Sequence, residues 1–220
     1  MHPNPAFRQE PTFMNLAMCR KRGFGVLCMN ADPAPLISHI PFFLDEAGEV
    51  AELHLVRSNP IARAVVELEE PTPAVIIVNG PDGYVSPDWY DTPDQVPTWN
   101  YVAVHLRGVL EPMEGGLMRE HLDRLSAHFE GRLAPKPMWA TSKMSEDTLE
   151  RMMRQILPFR FKVQQVDGTF KLNQNKSDEA RAGAAEQIKQ SPIGHEVETL
   201  SALMTGGVPS IDKGSPLTYI

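Results

Sequence analysis

The chain has 220 residues, of which 42% are hydrophobic and 22% are charged, a composition typical of a folded globular protein. Its 21 Lys and Arg against 28 Asp and Glu give a formal net charge of −7, which disfavours direct DNA binding because phosphate contacts need a basic surface. Two cysteines, Cys19 and Cys28, are too few for a disulfide framework or a cysteine zinc site. Without a secretory signal or an apolar run near ~20 residues, we expect a cytoplasmic protein with no membrane partner.

The first predicted elements are a helix and a series of strands. Residues Thr12 to Arg22 have apolar side chains at helical spacing and end in three basic residues, which suit the negative end of a helix. Short β-rich runs then follow as far as Leu110, with a turn expected at Gly80 to Gly83. The predicted strands are 24–29, 36–43, 52–56, 74–79, 84–85 and 98–110.

One helix interrupts these strands. Asn59 is a favourable N-cap, Pro60 suits the first helical position, and an apolar stripe runs from Ile61 to Leu68. The order strand, helix, strand therefore predicts a helix inserted within a mostly antiparallel sheet.

Helices return after the strands. Residues 114–130 and 145–157 are amphipathic, and a hairpin is expected over 159–172 with its turn at Asp167 and Gly168. A further helix is predicted to begin at Ser177. We expect one domain over 1–190, followed by a C-terminal helix and a flexible tail over 191–220.

Common catalytic motifs are missing from the sequence, which has no GxSxG, HExxH, P-loop or GxGxxG pattern. The seven histidines are dispersed, and surface or structural roles are favoured over metal ligation, so no metal is expected. Catalytic residues are not identified; His39 and His105 are candidates by their chemistry alone.

The junction Arg57-Ser58-Asn59-Pro60 is the first candidate binding site. A strand runs here into a helix whose positive end favours an anion, and Arg57 and Ser58 supply a guanidinium and a hydroxyl suited to phosphate. The alternative is that Asn59 only caps the helix while Arg57 is solvated. Local spacing does not separate the two interpretations.

The segment from Val96 to Leu110 is the second candidate, because its residues alternate. One face carries Asn100 with Val102, Val104, Leu106 and Leu110, and the other carries Trp99, Tyr101, His105 and Arg107. An aromatic and cationic face suits a flat anionic ligand or a subunit interface, and the alternative is a surface facing solvent.

An ordered set of motifs resembles the PaiB family. It comprises Gly80-Pro81-x-x-Tyr84-Val85-Ser86-Pro87-x-Trp89-Tyr90, Val96-Pro97-Thr98-Trp99-Asn100-Tyr101-x-x-Val104-His105 and Lys171-Leu172-Asn173-Gln174-Asn175-Lys176, with His39-Ile40-Pro41-Phe42 and Arg57-Ser58-Asn59-Pro60. The resemblance spans residues 1–190.

The resemblance implies an α+β, mainly β fold: an antiparallel FMN-binding split β-barrel with accessory helices, related to pyridoxamine 5′-phosphate oxidases. It also implies a homodimer with the flavin at the subunit interface. By position, Ser38, His39 and Ile40 would lie beside the cofactor. Residues Arg57, Ser58 and Asn59 would hold its phosphate, and Trp99 and Asn100 would lie near the isoalloxazine ring.

Three functions follow from the resemblance. The first is a negative transcriptional regulator that responds to flavin or its redox state and contacts DNA directly or through a partner; the net charge favours the indirect route. The second is an FMN-dependent oxidoreductase acting on a small molecule, with the chemistry supplied by the cofactor. The third is a haem-binding split-barrel protein.

Overall fold

A computed structural model describes residues 1–207. The flexible tail predicted near the C-terminus lies, from residue 208 onward, outside the described residues. Helices and strands are both present, and the strands include three of 14 to 16 residues. The helices are α1 (Thr12–Arg22), α2 (Pro60–Leu68), α3 (Met118–Glu130), α4 (Glu146–Met153), α5 (Asp178–Ile188) and α6 (Val197–Met204). The strands are β1 (Phe24–Met29), β2 (Leu36–Pro41), β3 (Phe43–Leu44), β4 (Val50–Val56), β5 (Thr72–Val85), β6 (Thr98–Pro112), β7 (Ile156–Lys171) and β8 (Gly194–His195).

The eight strands belong to one hydrogen-bonded sheet. Their order is β2-β1-β5-β6-β7-β4-β3, with β8 paired to β5. Strand β1 is antiparallel to β2 and β5, and β4 is antiparallel to β3 and β7. In this register Val26 lies opposite His39, and His54 lies opposite Pro158.

The chain divides into two compact units. One, here the helical-cap unit, consists of residues 1–18, 79–104 and, within the described part of the chain, 167–207. Its buried core includes Tyr90, Val102 and Phe170, covered by Ile188 of α5 and Leu200 of α6. These last two helices supply apolar side chains to this core, so their burial stabilises the C-terminal part of the fold.

The other, here the corner unit, consists of residues 19–78 and 105–166. Its strands alternate as a half-buried sheet should: in β4, Ala51, Leu53 and Leu55 are buried while the residues between them are more exposed. Phe159 and Phe161 of β7 are fully buried within the same unit.

Two predicted turns are wrong, because each lies inside a continuous strand. Strand β5 passes through Gly80 to Gly83, and β7 passes through Asp167 and Gly168. The glycines there allow close packing instead of chain reversal. A Cβ on Gly168 would lie 1.9 Å from Asn15 Oδ1, and one on Gly83 would lie 2.8 Å from Ile188 Cδ1.

The predicted helix boundaries agree with the structure at several ends. Helix α1 has the predicted bounds, and Ser177 caps α5 by accepting a hydrogen bond from the Ala180 N–H. Helix α4 is shorter than predicted because Ile156 and Leu157 enter β7 and pair with β4. Helix α3 begins at Met118, four residues later than expected.

Candidate functional site

The junction between β4 and α2 forms a turn in the corner unit. The Asn59 N–H donates to the Val56 carbonyl over 2.9 Å, which leaves Arg57 and Ser58 exposed at the tip. Asn59 Oδ1 accepts from the Ile61 N–H at 2.9 Å, so the predicted N-cap is confirmed. The Ile61 N–H is therefore already used by the cap and is not available to a ligand. An anion here would be held by the side chains of the turn and by the helix dipole.

Ser38 joins this turn from another strand. Asn59 Nδ2 donates to Ser38 Oγ at 3.0 Å, so the amide of one residue links β2 to the start of α2. The structure thus brings together two of the segments that the sequence analysis assigned to one site.

The three predicted residues of β2 do not share a face. Ser38 and Ile40 alternate with His39 along the strand. Ile40 is buried in the core with 1% exposure, whereas His39 is exposed and its ring stacks on Phe24 with centroids 6.4 Å apart. Of the three, Ser38 is the residue that hydrogen-bonds the turn.

Arg57 is held by the backbone of another segment in the same unit. Its Nε donates to the Arg154 carbonyl at 2.6 Å, and its N–H donates to the Gln155 carbonyl at 2.9 Å. Among residues 1–207, Arg57 has no acidic partner. The guanidinium is therefore fixed at Nε while its Nη groups can still donate to an anion.

Trp99 lies in the helical-cap unit, on a partly exposed aromatic surface. The residue is 47% exposed, and its ring meets the Tyr84 ring edge-on, with centroids 6.3 Å apart. Lys171 Nζ donates to the Trp99 carbonyl at 2.9 Å and also bonds Thr98 Oγ1. Partial burial lowers the pKa of Lys171, and these two acceptors hold its charged end beside the aromatic pair.

Asn100 lies on the opposite, buried face of β6 in the same unit. Its side chain has no solvent exposure, and Nδ2 contacts the Met204 sulfur of α6 at 3.4 Å. Its Oδ1 has no hydrogen-bond partner within the described part of the chain. The predicted alternation of β6 is confirmed, because Asn100, Val102, Val104 and Leu106 are buried.

A network that the sequence analysis missed lies in the corner unit. His54 Nδ1 and His121 Nε2 are 3.0 Å apart, and the His121 side chain has no exposure. His121 Nδ1 faces Glu52 Oε2 at 3.5 Å, and the same oxygen accepts from Arg124 at 2.7 Å. Glu52 and His54 are two positions apart and therefore lie on one face of β4. The local sequence does not indicate that His121 of α3 packs against them.

Burial sets the protonation of this network. It lowers the pKa of His54 from 6.5 to about 4, with a further contribution from His121. Burial also lowers the pKa of His121, against the opposing effect of Glu52. Both rings are therefore neutral at pH 7, and one donates to the other.

Among residues 1–207, no group of three or more His, Cys, Asp or Glu side chains is placed to hold a metal ion. In the same part of the chain, no helix has the length and apolar character needed to cross a membrane.

Comparison with solved structures supports the predicted fold. The chain is similar to the FAD and heme binding protein of Mycobacterium smegmatis, with a TM-score of 0.50 and 19% identity over 78% of this chain and 76% of that one. It is also similar to the flavocytochrome Anf3 of Azotobacter vinelandii, with a TM-score of 0.55 and 11% identity over 77% and 72% of the chains. The prediction of a mainly antiparallel split β-barrel with accessory helices is confirmed.

Comparison of sequences gives the family. The model of the family described as "Putative FMN-binding domain" matches residues 1–165, and the chain belongs to that family. The resemblance to PaiB is confirmed: the chain is 26% identical to "Protease synthase and sporulation protein PAI 2" of Bacillus subtilis, over 77% of this chain and 80% of that protein. An uncharacterized protein of Aspergillus fumigatus is 28% identical over 73% of this chain and 77% of its own.

Proposed function

We propose that this protein binds FMN and that the turn at Arg57-Ser58-Asn59 holds the phosphate. The observation that carries this proposal is the hydrogen bond between Asn59 and Ser38, which joins two separately predicted segments at one point. Membership of the FMN-binding family supports the cofactor, since the matched residues include the whole predicted site.

The residues present suit a phosphate. Arg57 presents Nη groups with no acidic partner in the described part of the chain, and the exposed Ser58 adds a hydroxyl. Both lie at the N-terminal end of α2, whose dipole favours negative charge. Asn59 acts as a positioning residue, because its amide bonds both the helix N-terminus and Ser38.

We propose that His39 lies beside the flavin bound to the corner unit, and that Trp99 of the second subunit contacts the isoalloxazine ring. Both side chains are exposed, and both carry a ring that can pack on a flat ligand. Ile40 and Asn100 are buried, so we propose that each supports the strand that carries it. When bound, the flavin supplies one- and two-electron redox chemistry.

We propose a homodimer, because one face of the β1–β2 pair is apolar and exposed. Phe24 is 53% exposed and Ile37 is 63% exposed, and their cross-strand partners place them on one face with His39. An exposed apolar patch of this kind is typical of a subunit contact. A second copy on this face would also cover His39.

As biological role, we propose that flavin binding or reduction regulates a partner protein, and that this partner contacts DNA. The formal net charge of −7 supports the indirect route. A gel shift with oxidised and with reduced holoprotein tests it, and a specific shift by the protein alone would contradict it. FMN-dependent oxidation of NADH or NADPH would instead establish the oxidoreductase alternative.

Flavin binding and dimerisation are tested on the purified protein. After FMN loading and desalting, we expect a flavin absorbance spectrum at one flavin per chain, and a dimer mass by light scattering. Ile37→Glu should give a monomer, while Val66→Glu, at another exposed apolar position, should remain dimeric. A colourless protein after desalting would contradict cofactor binding, and a dimeric Ile37→Glu variant would contradict the assigned interface.

A further inference from the structure

A cavity separate from the Ser38–Asn59 contact lies in the corner unit, between the start of α3, the end of α4 and the start of β7. Its volume is about 290 Å³, room for roughly ten water-sized groups at ~30 Å³ each. Much of the wall is aliphatic and includes Met118, Met153, Ile156 and Leu157. Methionine adapts its shape to different apolar ligands, so this wall suits a small flexible chain.

Three guanidinium groups also line the cavity. They belong to Arg57, Arg119 and Arg154, while Glu150 is the one carboxylate among the described lining residues. Glu150 is 3.7 Å from Arg154, a long contact that leaves the pair weakly coupled. Arg119 is already paired, because its Nη1 donates to Glu146 Oε1 at 2.8 Å. The positive charge available to an anion therefore lies at Arg57 and Arg154.

The guanidinium of Arg57 is pre-oriented towards such a ligand. Its Nε is fixed by the Arg154 carbonyl at 2.6 Å, so little side-chain entropy remains to be lost when a carboxylate binds Nη. Helix α3 begins at the same cavity, directly after the 3-10 turn Gly115–Leu117, whose two glycines line it. The positive end of that helix adds to the field of the arginines.

We propose that this cavity binds a small amphipathic carboxylate of about ten heavy atoms, with its chain against the aliphatic wall and its carboxylate at the arginines. This ligand is additional to the FMN of the proposed function. The two sites meet at Arg57, so ligand binding here would alter the side chain that we assign to the flavin phosphate.

Octanoate is the probe, since it has ten heavy atoms and one carboxylate. Calorimetric titration of the FMN-loaded protein should show octanoate binding. Acetate and octanol should bind at least tenfold more weakly, because acetate lacks the aliphatic chain and octanol lacks the carboxylate. Met153→Glu should abolish octanoate binding. The matched control Met152→Glu, on the adjacent residue that does not line the cavity, should bind octanoate as the wild type does.

A second pair of variants tests the charge. Arg154→Gln should weaken octanoate binding by about fivefold, the effect of one partly solvated ion pair. Arg151→Gln, in the last turn of α4 and outside the cavity lining, should have no effect. FMN retention is measured on all four variants, and we expect it unchanged. Equal octanoate affinity in Met153→Glu and Met152→Glu would overturn the proposal. A protein that binds octanoate but no FMN would instead overturn the proposed function alone.

Discussion

The buried pair His54 and His121 makes the stability of the protein depend on pH. The pKa of His54 falls from 6.5 to about 4 on folding because burial disfavours its charged form. As the pH decreases, the unfolded chain therefore takes up this proton before the folded chain does. The stability contributed by neutral His54 is complete above pH 6.5 and is lost as the pH falls towards 4.

The size of this loss follows from the pKa difference. At about 1.4 kcal/mol for each pH unit below 6.5, the loss between pH 7 and pH 5 reaches ~2 kcal/mol. Because the His54 ring is only partly buried, solvent screening reduces this to about 1–2 kcal/mol. His121 acts in the same direction, since its pKa is also lowered by burial, while Glu52 opposes it and Arg124 reinforces it.

The test compares wild type with His54→Gln by urea unfolding at both pH values. Glutamine can accept the hydrogen bond from His121 but does not titrate. We expect the variant to lose about 1–2 kcal/mol less than wild type between pH 7 and pH 5. His195→Gln is the control, because the His195 side chain is 86% exposed. Equal losses in wild type and His54→Gln would refute the reasoning.

Three further variants or probes test the packing and the turn. Gly108→Ala should destabilise the fold by more than ~3 kcal/mol in urea unfolding, because its Cβ would lie 1.9 Å from a backbone oxygen of β7. Gly116→Ala, whose Cβ meets nothing within 4 Å, should cost little, and equal losses would contradict this account. Asn59→Ala should lower thermal stability by about 1 kcal/mol through loss of the helix cap, and an unchanged melting temperature would count against it. A thiol reagent should modify Cys28 and spare Cys19 in the folded protein, since burial raises the pKa of the Cys19 thiol to about 12; rapid modification of both would show that Cys19 is accessible.

Local patterns predicted the elements whose ends are fixed by local chemistry. The N-cap at Asn59, the bounds of α1 and the alternation around Asn100 all follow from neighbouring residues, and all are present. The continuity of β7 could not be predicted in this way. Gly168 allows close contact with Asn15, which is distant in sequence. The local sequence pattern around an Asp-Gly pair instead predicts a turn.

The sequence predicted only the local part of the candidate site. Its turn, Arg57 to Asn59, is a local feature, but the hydrogen bond that joins Asn59 to Ser38 depends on the tertiary fold. The pairing of His54 with His121 likewise joins a strand to a helix far along the sequence. Residue types alone do not indicate such a contact.

The most direct test of the flavin site compares FMN with riboflavin, which lacks the phosphate. Affinities for both are measured with wild type, Arg57→Ala and the control Arg63→Ala, an exposed arginine on α2. If Arg57 binds the phosphate, Arg57→Ala should lose about tenfold in FMN affinity and nothing in riboflavin affinity, while Arg63→Ala keeps both. An equal loss for both flavins, or no FMN binding by wild type, would contradict the account.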